Sequence, residues 1–525
     1  MSRQILKNLC SNYLATAVGA ALGFFLVPFL IRRLGKEAFG VIVLAESAIA
    51  FFEILTISIR MALSRHAAFS LAKGDFEGFV QYLATGRRLL WVSTAFIFSS
   101  GIFMSAFFPS IFRVPPGLGS QSRLLSFWIA AAFSLSIPFI IYWSVLYAKQ
   151  RFDLINLSLS IGLIARALCL FVVYSVLPQE HRSLAVYGTV YFCVTAVQNG
   201  LIYFYQKKLM PFLSLRGVFF ESLKAKEILT FGFHTSVSRV SSLFSNEALN
   251  VLINLFWGAA FNAFYSVGYK LPLVMNRIFM ETTWTLTPTF TELAAREDRQ
   301  GLARLFFIYL KFITILFVPL GLLLIFMARP IIFFWVGEGF ETAALILPVL
   351  AFPLLSSIPL AVAGCVLNAY GKVELPARAS LLAAALNLTG AVILGKVLSF
   401  GLLGVAFASA SAWIFYYSIF TPWYAARAVG LPWGGYPDAF LRPFVWSFLV
   451  TGGAFLALRA ARYETWLTLP ELILLIFLLP LTCYLGAYFT VLNGNERTKI
   501  RQLFRQLKER CGTAKLSEGW RVSKI

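Results

Sequence analysis

Residues 8–31 read NLCSNYLATAVGAALGFFLVPFLI, an apolar run without a single charged side chain. A helix needs about 20 apolar residues to cross the roughly 30 Å hydrocarbon core of a bilayer. Residues 8–31 are therefore predicted to span a membrane. The run is too long for the apolar core of a signal peptide, and a second apolar stretch, 38–60, follows almost at once. We therefore predict an uncleaved helix.

Apolar stretches of the same kind fill the 525-residue chain, which is 59% hydrophobic and 13% charged. An ordinary soluble domain has about 25% charged residues. The connections are too short to contain a soluble catalytic or binding domain. We predict an all-α polytopic membrane protein with about 14 transmembrane helices. The predicted spans are residues 8–31, 38–60, 86–108, 124–148, 154–177, 184–206, 228–256, 261–284, 305–327, 342–369, 379–396, 401–424, 440–460 and 470–491.

The distribution of charge predicts the orientation. The net charge is +22, and most of the 45 Lys and Arg residues lie in the N-terminus, the even-numbered connections and the tail. Cytoplasmic loops carry such an excess, so both termini are predicted to be cytoplasmic, in the cytoplasmic (inner) membrane. The basic tail suits a helix on anionic lipid headgroups. Membrane lipids are therefore predicted partners, and nucleic acid is not.

Motifs for metals and cofactors are absent from the sequence. The six cysteines are scattered without a C-x-x-C pair, and the three histidines lack metal-ligand spacing. A Walker-type phosphate loop is also missing. We predict no metal site, no cofactor and no direct use of ATP.

An internal repeat with an offset of 222 residues divides the chain. Six helices per repeat is an even number, so the two halves should have the same orientation, as in parallel-repeat transporters. The predicted units are a first lobe 1–206 with six helices, a basic linker 207–227, a second six-helix lobe 228–424, helices 13 and 14 in 425–492, and a basic cytoplasmic tail 493–525. The matching pairs are Leu30-Ile31 with Leu252-Ile253, Ala38-Phe39 with Ala260-Phe261, and Leu71-Ala72 with Leu293-Ala294.

Four cations within the spans are candidates for substrate binding. A charge in hydrocarbon costs several kcal/mol, so it normally faces a bundle interior or an aqueous cavity. An excess of buried cations favours an anionic ligand, and the planar fork of Arg can hold two phosphate oxygens. These predicted substrate-binding residues are Arg166, Arg239, Lys270 and Arg277.

Five further charged residues are predicted to act in ion coupling or gating: Glu46, Glu53, Arg60, Glu247 and Glu281. Those in the second span recur every seven residues, which predicts one helical face. Glu247 is expected at the depth of Lys270, so these two side chains are predicted to form a salt bridge or to share a water. The alternative for every charged residue is a structural ion pair or a polar contact between helices.

The motif PFLIRRLGKEAFG at 28–40 resembles the P-x-L-I-x-x-L-G-x-x-x-F/Y-G signature of polysaccharide transporters of the O-antigen flippase (Wzx) type. Further resemblances follow in order, at YSVGYKL 265–271, Pro288, LNAYGK 367–372 and FGLLGVAF 400–407. These transporters belong to the multidrug/oligosaccharidyl-lipid/polysaccharide (MOP) exporter superfamily. The resemblance covers residues 8–490.

This resemblance implies the MATE-like MOP fold, with alternating access through a central cavity. It also implies as substrate an undecaprenyl-pyrophosphate-linked oligosaccharide, such as the repeat unit of O-antigen in lipopolysaccharide or of another surface polysaccharide. Polymerase or assembly proteins of polysaccharide biosynthesis are the implied protein partners.

Two other classes are weighed against the flippase. One is a MATE-type antiporter of drugs or small amphiphiles, but the first span lacks the carboxylate that many cation-coupled drug exporters have there. The other is a membrane enzyme, such as a glycosyltransferase or ligase. Such enzymes use a D-x-D or E-x-D pair or a large external loop with Arg and His, and the largest external connections offer neither. We therefore predict a transporter and not an enzyme.

Overall fold

The computed structural model describes residues 3–215, 217–460, 468–494 and 496–498, apart from some side chains, notably those of 233–239 and 281–285. The part of the chain so described is helical, without β-strands. Fourteen membrane-length elements follow one another and coincide with the predicted spans. They are α1 (Arg3–Leu34), α2 (Lys36–Ala50 and Glu53–Ala72), α3 (Phe76–Ile111), α4 (Gly119–Ala148), α5 (Phe152–Val176), α6 (Leu184–Leu209), α7 (Ser222–Trp257), α8 (Ala259–Ala295), α9 (Arg299–Phe326), α10 (Glu341–Leu360, continued by Val362–Ala369), α11 (Glu374–Val397), α12 (Gly401–Val429), α13 (Trp433–Ala460) and α14 (Leu469–Thr490).

Length and composition support membrane crossing by these elements. In the described residues, 11 helices are long and apolar enough to cross, and the two segments of α2 form a further, bent span. Helices α7 and α8 contain 36 and 37 residues, more than enough to cross a bilayer at 1.5 Å per residue. The chain is thus a multi-pass membrane protein.

Connections between successive helices alternate between two sides of the molecule. We call the side on which α1 begins and α14 ends the terminus side, and the other the opposite side. The short helix Ala328–Val336, between α9 and α10, lies on the opposite side.

Helix α2 bends by 52° between its two segments. At the bend the amide of Phe52 donates to the carbonyl of Ile49 at 3.0 Å, a three-residue bond that tightens the turn. The bend therefore interrupts the predicted single face of the second span. Glu46 belongs to the first segment, while Glu53 and Arg60 pair on the second at 3.3 Å.

The turns of α1–α2 and α7–α8 have the same geometry. Each is a single glycine with positive φ, 87° at Gly35 and 94° at Gly258, a conformation that disfavours a Cβ. Gly258 follows Gly35 by 223 residues. Two helix starts repeat the same spacing, because Asp75 and Asp298 each cap a helix by accepting from the amide three residues on.

These landmarks give the repeat an offset of 223 residues, one more than the predicted 222. Buried Phe39 therefore corresponds to buried Asn262 rather than to the predicted Phe261. The division into lobes 1–206 and 228–424 stays a prediction, supported by these local correspondences. We refer below to α1–α6 as the first half and α7–α12 as the second half.

The two halves share one hydrophobic core on the opposite side. It combines Val41 and Phe108 of the first half with Val267 and Leu347 of the second. Helices α2 and α8 approach so closely there that a Cβ added at Gly40 would overlap the carbonyl oxygen of Ala259. The halves are therefore closed against each other on this side.

On the terminus side each half has mainly its own core. Leu63, Leu83 and Val145 lie in one, and Phe290 and Phe306 lie in the other. The halves meet there along the second segment of α2 and α7, where a Cβ at Gly232 would overlap the backbone of Ser58. Beside it the Arg65 guanidinium lies 4.1 Å from the centroid of the Phe231 ring. The halves are therefore in contact on the terminus side as well.

A buried cation joins helices α13 and α14 to the second half. Lys311 of α9 is 2% exposed and donates to the carboxylates of Asp438, at the start of α13, and Glu496, just after α14, the latter at 3.3 Å. Both acidic side chains are more exposed than Lys311. Sequence analysis missed this cluster because its members are far apart in the chain.

We expect Asp438→Asn combined with Glu496→Gln to lower the thermal unfolding midpoint of the detergent-purified protein more than Lys311→Met does. The first change leaves a buried ammonium uncompensated, which costs about 3–5 kcal/mol in a fully buried pair, whereas the second leaves carboxylates that reach water. The triple variant should recover most of the loss. A triple variant as unstable as the carboxylate double would contradict this ordering.

Candidate functional site

A cavity of about 640 Å³ opens within the second half, between helices α7, α8, α11 and α12. Its lining is polar and aromatic. Of the predicted site residues whose side chains the structure describes, three line it: Glu247, Lys270 and Arg277.

Lys270 and Arg277 are seven residues apart on α8, and the structure places them on one face, as predicted. Both also line a small pocket against α1, beside Gly19 and Ala20. The Lys270 side chain passes close to α1, since a Cβ at Gly23 would lie 3.2 Å from its Cε atom. The two cations thus stand where the second-half cavity meets the first half.

Neither Lys270 nor Arg277 forms a salt bridge or hydrogen bond with any residue that the structure describes. Arg277 is exposed, which places its guanidinium in the open space of the cavity. The cations are therefore available to an anionic ligand.

Arg166 lies apart from this cavity, in the first half. Its guanidinium stacks over the ring of Tyr191, 3.8 Å from the centroid. Its Nε atom is buried and has no hydrogen-bond partner among the described residues. The prediction that one cavity collects all four cations is therefore corrected for Arg166.

Glu46 connects the two groups of cations. Its Oε1 atom accepts a hydrogen bond from the hydroxyl of Tyr187 at 2.8 Å. It also interacts electrostatically with Arg166 in the first half and with Lys270 in the second. A single carboxylate thus acts on cations of both halves.

The described side chains of Glu247 and Lys270 form no direct salt bridge, whereas the alternative, a shared water, stays a prediction. Both side chains line the cavity, but they form no salt bridge, and the carboxylate that acts on Lys270 is Glu46. The matching depth of two residues does not make them face each other, because each helix also rotates its side chains about its axis.

Four predicted residues remain to be placed. The side chains of Arg239 and Glu281 lie outside the described residues, although the backbone there is part of α7 and α8. The Arg60 side chain forms its pair with Glu53 and lies 5.8 Å from the ring centroid of Trp143. Neither Glu53 nor Arg60 lines the cavity.

The aromatic and amide side chains of the cavity were not among the predicted site residues. Their signal was present, since Tyr265 and Tyr269 are four residues apart and Trp413 is followed by aromatics at the third and fourth positions. The cavity-lining residues of these types are Asn246, Asn250, Tyr265, Tyr269, Asn276, Trp413, Tyr416 and Tyr417. In the described part of the chain, no three His, Cys, Asp or Glu side chains are placed to hold a metal ion.

The described residues thus form a multi-pass membrane protein with a cationic cavity in its second half, beside the first half. Residues 183–345 match a family described as polysaccharide biosynthesis protein. Over 513 residues the chain is 22% identical to the uncharacterized membrane protein EpsK of Bacillus subtilis (strain 168), covering 95% of this chain and 98% of that protein.

Solved structures share the fold. The chain is similar to the lipid II flippase MurJ in an inward closed conformation, with a TM-score of 0.64, 17% identity, and coverage of 91% of this chain and 98% of MurJ. An inward-facing multidrug resistance MATE transporter of the MOP superfamily gives a TM-score of 0.62 at 15% identity, covering 82% and 95%. The predicted fold of about 14 helices is confirmed by its likeness to these two structures, one of a flippase and one of a transporter.

Proposed function

We propose that this protein is a flippase that moves an undecaprenyl-pyrophosphate-linked oligosaccharide across the cytoplasmic membrane by alternating access. The substrate would be a repeat unit of O-antigen or of another surface polysaccharide. The observation that carries this proposal is the pair of cations, Lys270 and Arg277, uncompensated by direct contact in the described structure and facing a cavity of about 640 Å³. The polysaccharide biosynthesis family match supports the substrate class.

The physical problem of such a transporter is to carry a charged, polar headgroup past hydrocarbon while the prenyl tail stays in lipid. Arg277 holds two phosphate oxygens through its planar fork, and Lys270 adds a mobile point charge. Arg239, whose side chain lies outside the described residues, stays a predicted third cation. The pocket of Lys270 and Arg277 beside α1 lets the headgroup contact both halves.

In the first half, the carboxylate of Glu46 is the counter-charge of Lys270, and Arg166 is a second cation beside that carboxylate. A pyrophosphate that binds Lys270 replaces Glu46 as the neighbouring anion, and Arg166 then compensates the carboxylate. Binding of substrate would thereby change the electrostatic contact between the halves, as coupling in alternating access requires. Glu53, Arg60, Glu247 and Glu281 remain candidates for ion coupling or gating.

Orientation follows from the charge distribution, with both termini in the cytoplasm. The terminus side then takes up the lipid-linked substrate made inside the cell. Polymerase or assembly proteins would receive it on the opposite side.

A MATE-type antiporter is the second candidate. One observation favours it, because the carboxylate of Glu247 and several aromatic rings line the cavity, and such groups bind organic cations. Lys270 and Arg277 in the same lining repel an organic cation, so the flippase fits the cavity better.

The test is transport in proteoliposomes that contain undecaprenyl pyrophosphate bearing a fluorescent saccharide. In protein-free liposomes, a membrane-impermeant quencher should reach only the half of the fluorescent lipid that lies in the outer leaflet. We expect the purified protein to raise the quenched fraction to nearly all of the fluorescence. Liposomes with a Lys270→Ala, Arg277→Ala variant should match protein-free liposomes. Cells expressing the protein should gain no resistance to tetraphenylphosphonium. Resistance together with no flipping would establish the antiporter instead.

A further inference from the structure

Five aromatic rings form a continuous wall on one side of the cavity. We call it the aromatic wall; it consists of Tyr265, Tyr269, Trp413, Tyr416 and Tyr417. The ring centroids of Tyr269 and Trp413 are 6.4 Å apart, those of Trp413 and Tyr417 6.0 Å, and those of Tyr416 and Tyr417 4.7 Å. Such edge-to-face contacts hold the rings in fixed positions.

The hydroxyl groups divide the wall into two parts. Tyr265 forms a hydrogen bond with Ser409 at 3.1 Å, and Tyr269 donates to Asn246 at 3.1 Å, so these rings are fixed by the protein. The hydroxyls of Tyr416 and Tyr417 have no partner among the described residues. Both rings line the cavity, so their polar ends are available to a ligand.

The backbone beneath Tyr416 and Tyr417 is unusual. Residues Ile414–Phe420 form a π-helix within α12. Wide turns of this kind are rare and often occur at functional sites. Trp413 immediately precedes the π-helix, which thus holds part of the wall.

Amide groups complete the lining. Asn276 precedes Arg277 on α8, and no described residue forms a hydrogen bond with its side chain. Asn250 donates to Ser47 at 2.9 Å, but its Oδ1 atom is buried without a partner in the described structure. The cavity therefore offers donors, acceptors and aromatic faces in addition to its cations.

We propose that the second-half cavity is a saccharide subsite, in which the sugar next to the pyrophosphate stacks on Tyr416 and Tyr417. A pyranose has faces rich in C–H groups, which suit the negative faces of aromatic rings, while its hydroxyls suit amides. Asn276 binds those hydroxyls, and Arg277 beside it binds the phosphate. This inference rests on the proposed function and adds that the sugar itself is recognised.

The chemistry of the cavity favours a sugar over the other ligands of this class of transporter. A prenyl tail would leave the Asn276 amide and the Oδ1 atom of Asn250 without a hydrogen-bond partner, which costs free energy. An organic cation would meet Lys270 and Arg277. A sugar phosphate satisfies the polar groups, the rings and the cations together.

The experiment measures binding of charge-matched probes to the full-length protein in nanodiscs by calorimetry. The probes are pyrophosphate diesters of farnesol that carry a methyl group, glucose, galactose or N-acetylglucosamine. We expect the tightest glycosyl diester to bind about three- to tenfold more tightly than the methyl diester, in line with an aromatic stacking contribution. Tyr416→Ala and Tyr417→Ala should remove that ratio and leave methyl diester binding unchanged.

Three comparisons make the result specific. Tyr416→Phe, Tyr417→Phe should retain most of the ratio, since the rings remain. Phe407→Ala, which removes an exposed ring of α12, should retain all of it. Arg277→Ala should weaken all four diesters by a similar factor.

Equal binding of methyl and glycosyl diesters, still dependent on Arg277, would overturn the saccharide subsite and leave the proposed function standing. Failure of every diester to bind would overturn both. Tetraphenylphosphonium binding that depends on Tyr416 would assign the aromatic wall to organic cations and overturn the subsite as well.

Discussion

Replacing Arg277 with Ala should abolish surface polysaccharide display while the protein stays at its normal level in the membrane. The guanidinium is exposed to the cavity and has no ion-pair or hydrogen-bond partner in the described structure, so its loss leaves no buried counter-charge behind. The substrate would lose its two-pronged phosphate contact. We expect a loss of about 100-fold or more in transport, since hydrogen bonds to charged groups contribute about 1.5–3 kcal/mol each.

The variant Arg277→Lys tests whether the positive charge alone is enough or whether the planar guanidinium is also needed. Lysine keeps the positive charge but presents a single ammonium, so most of the activity should be lost with this variant as well. The readout is polysaccharide display in a strain that lacks its own copy of the gene, alongside immunoblots of membranes.

The matched control is Arg378→Ala. Arg378 pairs with Glu374 on the surface at 2.7 Å, with both side chains more than two-thirds exposed, and such pairs contribute little. Display should therefore be unchanged in this variant. Full display from a variant with Ala at both Arg239 and Arg277 would refute the role of the cations.

The spans could be predicted because apolar length is a property of each segment by itself. The bend of α2 could not, since the three-residue bond at Phe52 interrupts a sequence that is apolar on both sides of it. That bend separates Glu46 from Glu53 and Arg60. The correct neighbours of Glu46, Tyr187 and Lys270, belong to other helices.

For the candidate site, too, the sequence predicted the arrangement within one helix but not the contacts between helices. Spacing along α8 placed Lys270 and Arg277 on one face, because seven residues make two helical turns. Spacing says nothing about which helix faces that surface. The distance of Arg166 from the cavity and the lack of a direct Glu247–Lys270 salt bridge therefore could not be predicted. The predicted offset of the repeat was one residue too short, since identities between apolar residues arise easily by chance. The turn glycines Gly35 and Gly258 mark the offset without ambiguity.

Two glycines at the contacts between the halves should control the direction in which the transporter opens. Gly40 faces the backbone of Ala259 on the opposite side, and Gly232 faces the backbone of Ser58 on the terminus side. A backbone neighbour cannot rotate away as a side chain can. Gly40→Ala should therefore disfavour closure of the opposite side, and Gly232→Ala should disfavour closure of the terminus side.

Overpacking of this kind costs about 1–3 kcal/mol, which shifts a two-state population by about five- to 150-fold. Spin labels on cysteines introduced at Gly117 and Glu338 report the opposite side, and labels at Glu77 and Arg299 report the terminus side. Native cysteines are first replaced with Ser. We expect Gly40→Ala to lengthen only the first distance and Gly232→Ala only the second.

Gly200→Ala supplies the matched control, because a Cβ at this helical glycine meets nothing within 4 Å. It measures the stabilisation that any Gly→Ala change brings to a helix, about 1 kcal/mol, without a new contact between the halves. Its label distances should equal those of the parent protein. Since alternating access needs each contact to form and break in turn, both contact variants should also transport slowly. Unchanged distances in both, or the same distance lengthened by each, would show that these glycines do not act as opposed closure points.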